Sequence, residues 1–72
     1  MDNFEAKNLK HIIKKEIEIE DSMIILYSGI LNSDYLEAMS ENDKDLVVGI
    51  INGLLRDTRR HKKTMEEIIS KL

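Results

Sequence analysis

Four side chains carry the chemistry this sequence offers: Glu20, Tyr27, Thr58 and His61. Glu20 and Tyr27 are seven residues apart, with Met23 between them, so all three share one face of a helix. Thr58 and His61 are three apart and share a face of another. Each pair interrupts an apolar row at helical spacing. The first row reads Ile13, Ile17, Glu20, Ile24, Tyr27, Leu31, and the second Val47, Ile51, Leu54, Thr58, His61, Met65, Ile68, Leu72. Steps of three and four mark the side of a helix that packs on a neighbour. An ionised carboxylate there costs several kcal/mol unless it is paired or bound. Two explanations are open. Glu20 and His61 ligate a metal ion, because iron, manganese and zinc accept carboxylate oxygen and imidazole nitrogen. Or they pair with each other, with Thr58 or Tyr27 donating a hydrogen bond, as a polar cluster that fixes register and partner choice.

The elements that must position these residues are two long helices. The chain has no proline and three glycines, and is rich in Ile, Leu, Glu and Lys, which suits helices and leaves little for hairpin turns. A first helix is expected over about 3–31, capped by Asp2 or Asn3 with Glu5 in its first turn. Asn32-Ser33-Asp34 reads as a turn, and residues 35–39 as one helical turn closing the end. Ser40, with Asp43 as an imperfect capping-box partner, starts a second helix over about 41–71. Beside its main row the first helix carries Ile12, Ile19, Met23, Leu26 and Ile30, a face broad enough for several neighbours. One hairpin leaves that face exposed, and a second copy completes four helices. The expected fold class is therefore all-α: one domain, residues 1–72, whose two long antiparallel helices dimerise into a four-helix bundle. Gly49 and Gly53, four apart, are expected to admit a neighbouring helix or a tyrosine close to the backbone.

Composition excludes several function classes. A single core in a 72-residue chain rarely supplies more than about 3–5 kcal/mol. With no cysteine, disulfides, thiolate metal sites and cysteine nucleophiles are out, which leaves self-association, with or without a metal, as the reinforcement. A net charge of −3 favours neither nucleic acid nor an anionic membrane, and no apolar run approaches the roughly 20 residues that cross a bilayer. The opening Met1–Glu5 is acidic and lacks a signal-peptide core, so a cytoplasmic location is expected. Arg56, Arg59, Arg60 and Lys63 share one outward face, which reads first as a solvated surface, with a phosphate-tracking, nucleic-acid-associated role as the weaker alternative. Local ion pairs from Lys62 and Lys63 to Glu66 and Glu67 are available. The serines have no histidine at convincing spacing, so hydrolytic nucleophile chemistry is not expected.

From about Leu9 to Leu72 the chain resembles half of a rubrerythrin-like member of the ferritin-like superfamily. The first-helix pattern, a glutamate, then a small residue, then a tyrosine, is matched by Glu20, Met23 and Tyr27. The second, Glu-x-x-His with an amphipathic tail, is matched by Asp57 through Ile68 with His61 in the histidine place. Thr58 stands where the bridging glutamate belongs, and Met23 where the small residue does. The resemblance implies a ferritin-like four-helix bundle with a metal site in its core. A symmetric dimer would bring two copies of Glu20 and two of His61 to one ion of iron, manganese or zinc, with Glu16 and Asp57 on the flanks. Iron there would imply oxidation or peroxide-handling chemistry, with Tyr27 as a supporting hydrogen-bond donor. The alternative function is a metal-free dimerisation or interaction module whose polar cluster is structural. Whether the protein is an enzyme stays open at this point.

Overall fold

The computed structural model describes residues 3–72, and the expected cap at Asp2 lies outside them. Two long helices, α1 (Asn3–Leu31) and α3 (Glu41–Ser70), fold back on each other through a short helix α2 (Asp34–Glu37). There is no strand among the described residues. The turn closes on itself locally: the Asn32 and Ser33 N–H groups donate to the Ser28 and Ile30 carbonyls, and the Ser33 hydroxyl donates to Ile30 O at 2.7 Å. Helix α3 starts at the expected cap, where Ser40 Oγ accepts the Asp43 N–H at 3.3 Å. Leu36 on α2 turns inward and is among the most buried residues of the molecule, which plugs the closed end of the hairpin.

The hairpin is 56 Å long and only 15 by 12 Å across, with a radius of gyration of 16.7 Å. A compact domain of this length would have a radius near 11 Å. Its accessible surface is 5609 Å², against about 4,600 Å² for a compact protein of the same mass. Among the described residues only Leu36, Ile51 and Leu55 are buried apolar residues, with Thr58 the buried polar one. A core this small follows from the geometry, since two helices can cover only one stripe of each other.

Helix α1 points its expected row, Ile13 to Leu31, toward α3. Helix α3 is turned away from its expected phase. Its inward row is Ile51, Leu55, Thr58, Lys62, Met65 and Ile69; Leu54, His61 and Ile68 lie on the flank and are exposed. Both phases share Ile51, Thr58 and Met65, so the choice rests on Leu55, Lys62 and Ile69 against Leu54, His61 and Ile68. A lysine inside a helix seam reads as an error in a hydrophobic pattern. Here its aliphatic stem lies along the seam while the ammonium reaches Asp21 on α1, 2.6 Å from Oδ1.

The two flanks of this hairpin differ sharply. On α1 the residues one before each inward position are Ile12, Glu16, Ile19, Met23, Leu26 and Ile30; on α3 they are Val47, Ile50, Leu54, Asp57, His61, Thr64 and Ile68. In an antiparallel pair these two flanks fall on the same side. That they do so here is visible at the closed end, where Leu26, Ile30 and Val47 line one groove. The opposite side carries Lys14, Glu18, Asp21, Ile25 and Ser28 from α1, with Asn52, Arg56, Arg59, Lys63 and Glu66 from α3, so Ile25, 73% exposed, is its one large apolar side chain among these. One face of the hairpin is thus largely apolar and exposed, with Ile12 and Ile19 each 51% and Leu26 59% accessible. Gly49 and Gly53 lie away from the apolar face. A Cβ at Gly49 would meet nothing within 4 Å and at Gly53 only the tip of Arg56, so no neighbouring helix of the chain uses them, contrary to the expectation from their spacing.

Candidate functional site

The exposed apolar face is broken at mid-length by a polar group, and Glu20 and His61 are its centre. Glu20 sits in the inward row of α1, where the surrounding Ile17, Ile24 and Met65 rows leave its side chain only 15% exposed. His61 comes from the apolar flank of α3 with its side chain 61% exposed. Its Nδ1 lies 4.0 Å from Glu20 Oε1, close enough for charge attraction when the imidazole is protonated and too far for a hydrogen bond. The sequence paired these two residues across the helices, and the hairpin brings them face to face. It places them differently from each other: the glutamate is covered, while the histidine still looks outward across the apolar face.

Tyr27 is half-buried two turns further along α1, and Thr58 is buried in the inward row of α3. Among the described residues neither donates a hydrogen bond to Glu20, and His61 Nδ1 is the nitrogen that approaches its carboxylate from α3. Glu16, Asp57 and Thr64 continue the polar break on the same flank. Asp57 accepts from Arg60 Nη2 at 3.1 Å, so it is held by a cation on its own helix.

On the polar side of the hairpin, one residue beyond Glu20 and His61, lies the pair that the sequence did not suggest. Lys62 donates to Asp21, and this hydrogen bond raises the lysine pKa above its ordinary 10.5, with further attraction from Asp21 and Glu66. The expected local pairing of Lys62 with Glu66 is replaced by this bond between helices. The available signal was Asp21 beside Glu20 on α1 and Lys62 beside His61 on α3, two acidic residues level with two basic ones.

Donor chemistry limits what one chain can hold. Glu20 and His61 are two ligands, whereas protein metal sites for zinc take three or four. Among the described residues, no three His, Cys, Asp or Glu side chains gather as a set able to hold a metal ion. The pair therefore falls short of a metal site within a single hairpin, and a second copy is what would double it.

At the closed end the apolar face deepens into a groove of about 330 Å³, walled by Leu26, Ile30, Leu36, Met39 and Val47 with Tyr35 at its rim. The groove is almost wholly apolar; of its polar lining residues, Ser33 already donates its hydroxyl to Ile30 O, which leaves Tyr35 at the rim. Among the described residues no helix is long and apolar enough to cross a membrane. Compared with family models, curated proteins and solved structures, the chain matches none.

Proposed function

We propose that this chain is a self-association module: two hairpins pack apolar face to apolar face and make a homodimeric four-helix bundle, in which the Glu20–His61 cluster sets the pairing. The single observation that carries this reading is the separation of the flanks, one largely apolar and exposed on both helices, the other polar on both except at Ile25. A monomer has no use for such a division, because both flanks would face water. The sizes agree as well. A face 56 Å by 15 Å presents roughly 800 Å², which is what a standard interface takes from each partner. The excess surface over a compact protein of this mass is about 1,000 Å². This is also the assembly implied by the resemblance to half of a rubrerythrin-like, ferritin-like bundle.

A dimer that folds as it associates has a melting temperature that rises with protein concentration. Thermal melts over a hundredfold concentration range test this. A Tm that climbs with concentration supports the proposal, and one that stays fixed, with a fully helical baseline at the lowest concentration, counts against it.

A metal-binding reading of the same centre rests on a different observation, the carboxylate and imidazole that face each other from two helices at 4.0 Å. Doubled by a second copy, they make a four-ligand set of Glu and His suited to zinc or to iron and manganese. Titration of the purified protein with Zn²⁺, Fe²⁺ and Mn²⁺ by calorimetry tests it: one ion per two chains, lost in Glu20→Ala, supports the metal, and heat no different from buffer removes it.

A further inference from the structure

We infer that the two copies pack with their closed ends at opposite ends of the bundle, related by a two-fold axis that crosses the hairpin at the level of Glu20 and His61. This rests on the self-association reading and fixes its geometry. Two face-to-face arrangements of identical hairpins are possible. In one the axis runs along the bundle, the two α2 segments meet at the same end, and α1 of one copy lies on α3 of the other. In the second the axis runs across the bundle, so that α1 lies antiparallel on α1 and α3 on α3.

Three independent features favour the second. Four exposed residues of the apolar flank are arranged palindromically about one level, which is occupied by apolar Ile19 on α1 and polar His61 on α3. On α1, Ile12 and Leu26 stand seven residues either side of Ile19; on α3, Leu54 and Ile68 stand seven either side of His61. Ile19 and His61 are themselves level, because Glu20, the next residue, faces His61. A transverse two-fold axis there sets Ile12 on the partner copy's Leu26-bearing segment and Leu54 on its Ile68-bearing segment. It also joins apolar Ile19 to its own copy and polar His61 to its own. The axis along the bundle would set Ile19 against the histidine.

The second feature is charge. The closed end is acidic: Asp34, Glu37, Glu41, Asp43 and Asp45 against Lys44 alone. The open end is balanced, with Lys7, Lys10, Lys14, Lys15 and Lys71 matched by Glu5, Glu16, Glu18, Glu66 and Glu67. Closed ends placed together would set acid on acid. Closed ends placed apart set each acidic end against a balanced one and avoid that repulsion, which favours this orientation. The third feature is shape. The 330 Å³ groove lies at the closed end. Same-end packing turns two grooves toward each other, whereas opposite-end packing offers each groove the open end of the other copy, which carries Leu9, Ile12 and Ile68. The polar cluster then lies on the axis, completed by both chains.

The chain has no cysteine, so single introduced cysteines report proximity cleanly, and a disulfide needs Cβ atoms roughly 3.5–4.5 Å apart. Ile12→Cys and Leu26→Cys, purified separately, mixed, exchanged and oxidised, are expected to form the mixed disulfide dimer. Leu54→Cys with Ile68→Cys is a second pair on the other helix, and Ile19→Cys alone should close on itself. Each substituted position is exposed in the single hairpin, and circular dichroism and light scattering on the reduced proteins verify helix content and mass. A mixed Leu26→Cys with Leu54→Cys product instead, with the Ile12 and Leu26 pair unlinked, overturns the opposite-end orientation and leaves self-association standing. Positions 12 and 26 are about 21 Å apart along a helix, so same-end packing cannot link them. Dimers by mass that link at none of these positions overturn the assigned face. Reduced proteins and unmodified chain that are all monomeric by mass sink the self-association reading itself, and the orientation with it.

Discussion

Replacing Ile19 by glutamate separates an apolar surface from an interface. In the single hairpin Ile19 is 51% exposed on the flank of α1 and remote from the buried Leu36, Ile51 and Leu55. For a monomeric protein, a charge at such a position changes stability by no more than about 0.5 kcal/mol. In the dimer the outer half of the side chain is covered. Full burial of an isoleucine is worth about 1.5–3 kcal/mol, so that half contributes about 1 kcal/mol from each copy. The new carboxylate also loses its water with no cation across from it, at several kcal/mol. The total comes to at least about 5 kcal/mol per dimer, a weakening of more than about a thousandfold. Light scattering on a sizing column reads the outcome directly: the Ile19→Glu chain should run at its own mass of 8.4 kDa where the parent runs at twice that. Asn52→Glu, exposed on the opposite, polar flank of α3, is the control and should leave the mass unchanged. An Ile19→Glu protein that keeps the parent's mass and melt, or an Asn52→Glu protein that dissociates equally, would refute the reasoning.

Leu55→Ala, at 5% exposure between α1 and α3, should lower the unfolding free energy by about 2–5 kcal/mol in urea titrations followed by circular dichroism. Ser40→Ala removes the acceptor for the Asp43 N–H and should cost about 1 kcal/mol in the same assay, with Ser40→Asp restoring it. Because folding raises the Lys62 pKa, the stability from its bond to Asp21 is fully present below the ordinary lysine pKa of 10.5 and fades as pH rises through the higher folded value. Melts at rising alkaline pH should therefore fall more steeply for the parent than for Asp21→Asn. The double change Glu20→Leu with His61→Leu should leave the dimer's stability equal or raised by about 1–4 kcal/mol, as replacement of a covered polar pair by apolar side chains does, and a clear loss would mark the pair as essential to assembly.

Much of the fold is legible in the sequence because local rules suffice for it. The row Ile13 to Leu31 faces inward as its spacing requires, Ser40 caps α3, and Asn32 to Asp34 turn the chain. The phase of α3 was not legible, because Leu54 and Leu55, like Ile68 and Ile69, are adjacent residues of equal hydrophobicity. The choice between them is made by Lys62 and His61, and a reading by polarity ranks the histidine as the better seam residue. Only the partner on α1, Asp21, shows that the lysine belongs there. The candidate site divides in the same way. That Glu20 and His61 face each other follows from counting along two antiparallel helices. That Glu20 is covered while His61 looks out across an apolar face follows from the rotation of α3, which the residue pattern leaves undecided.

Sedimentation equilibrium of the unmodified chain, from micromolar to millimolar concentration, tests the central claim most directly. The account predicts a mass of twice 8.4 kDa, relaxing toward 8.4 kDa only at the dilute end. A single folded species of 8.4 kDa across the whole range would contradict it.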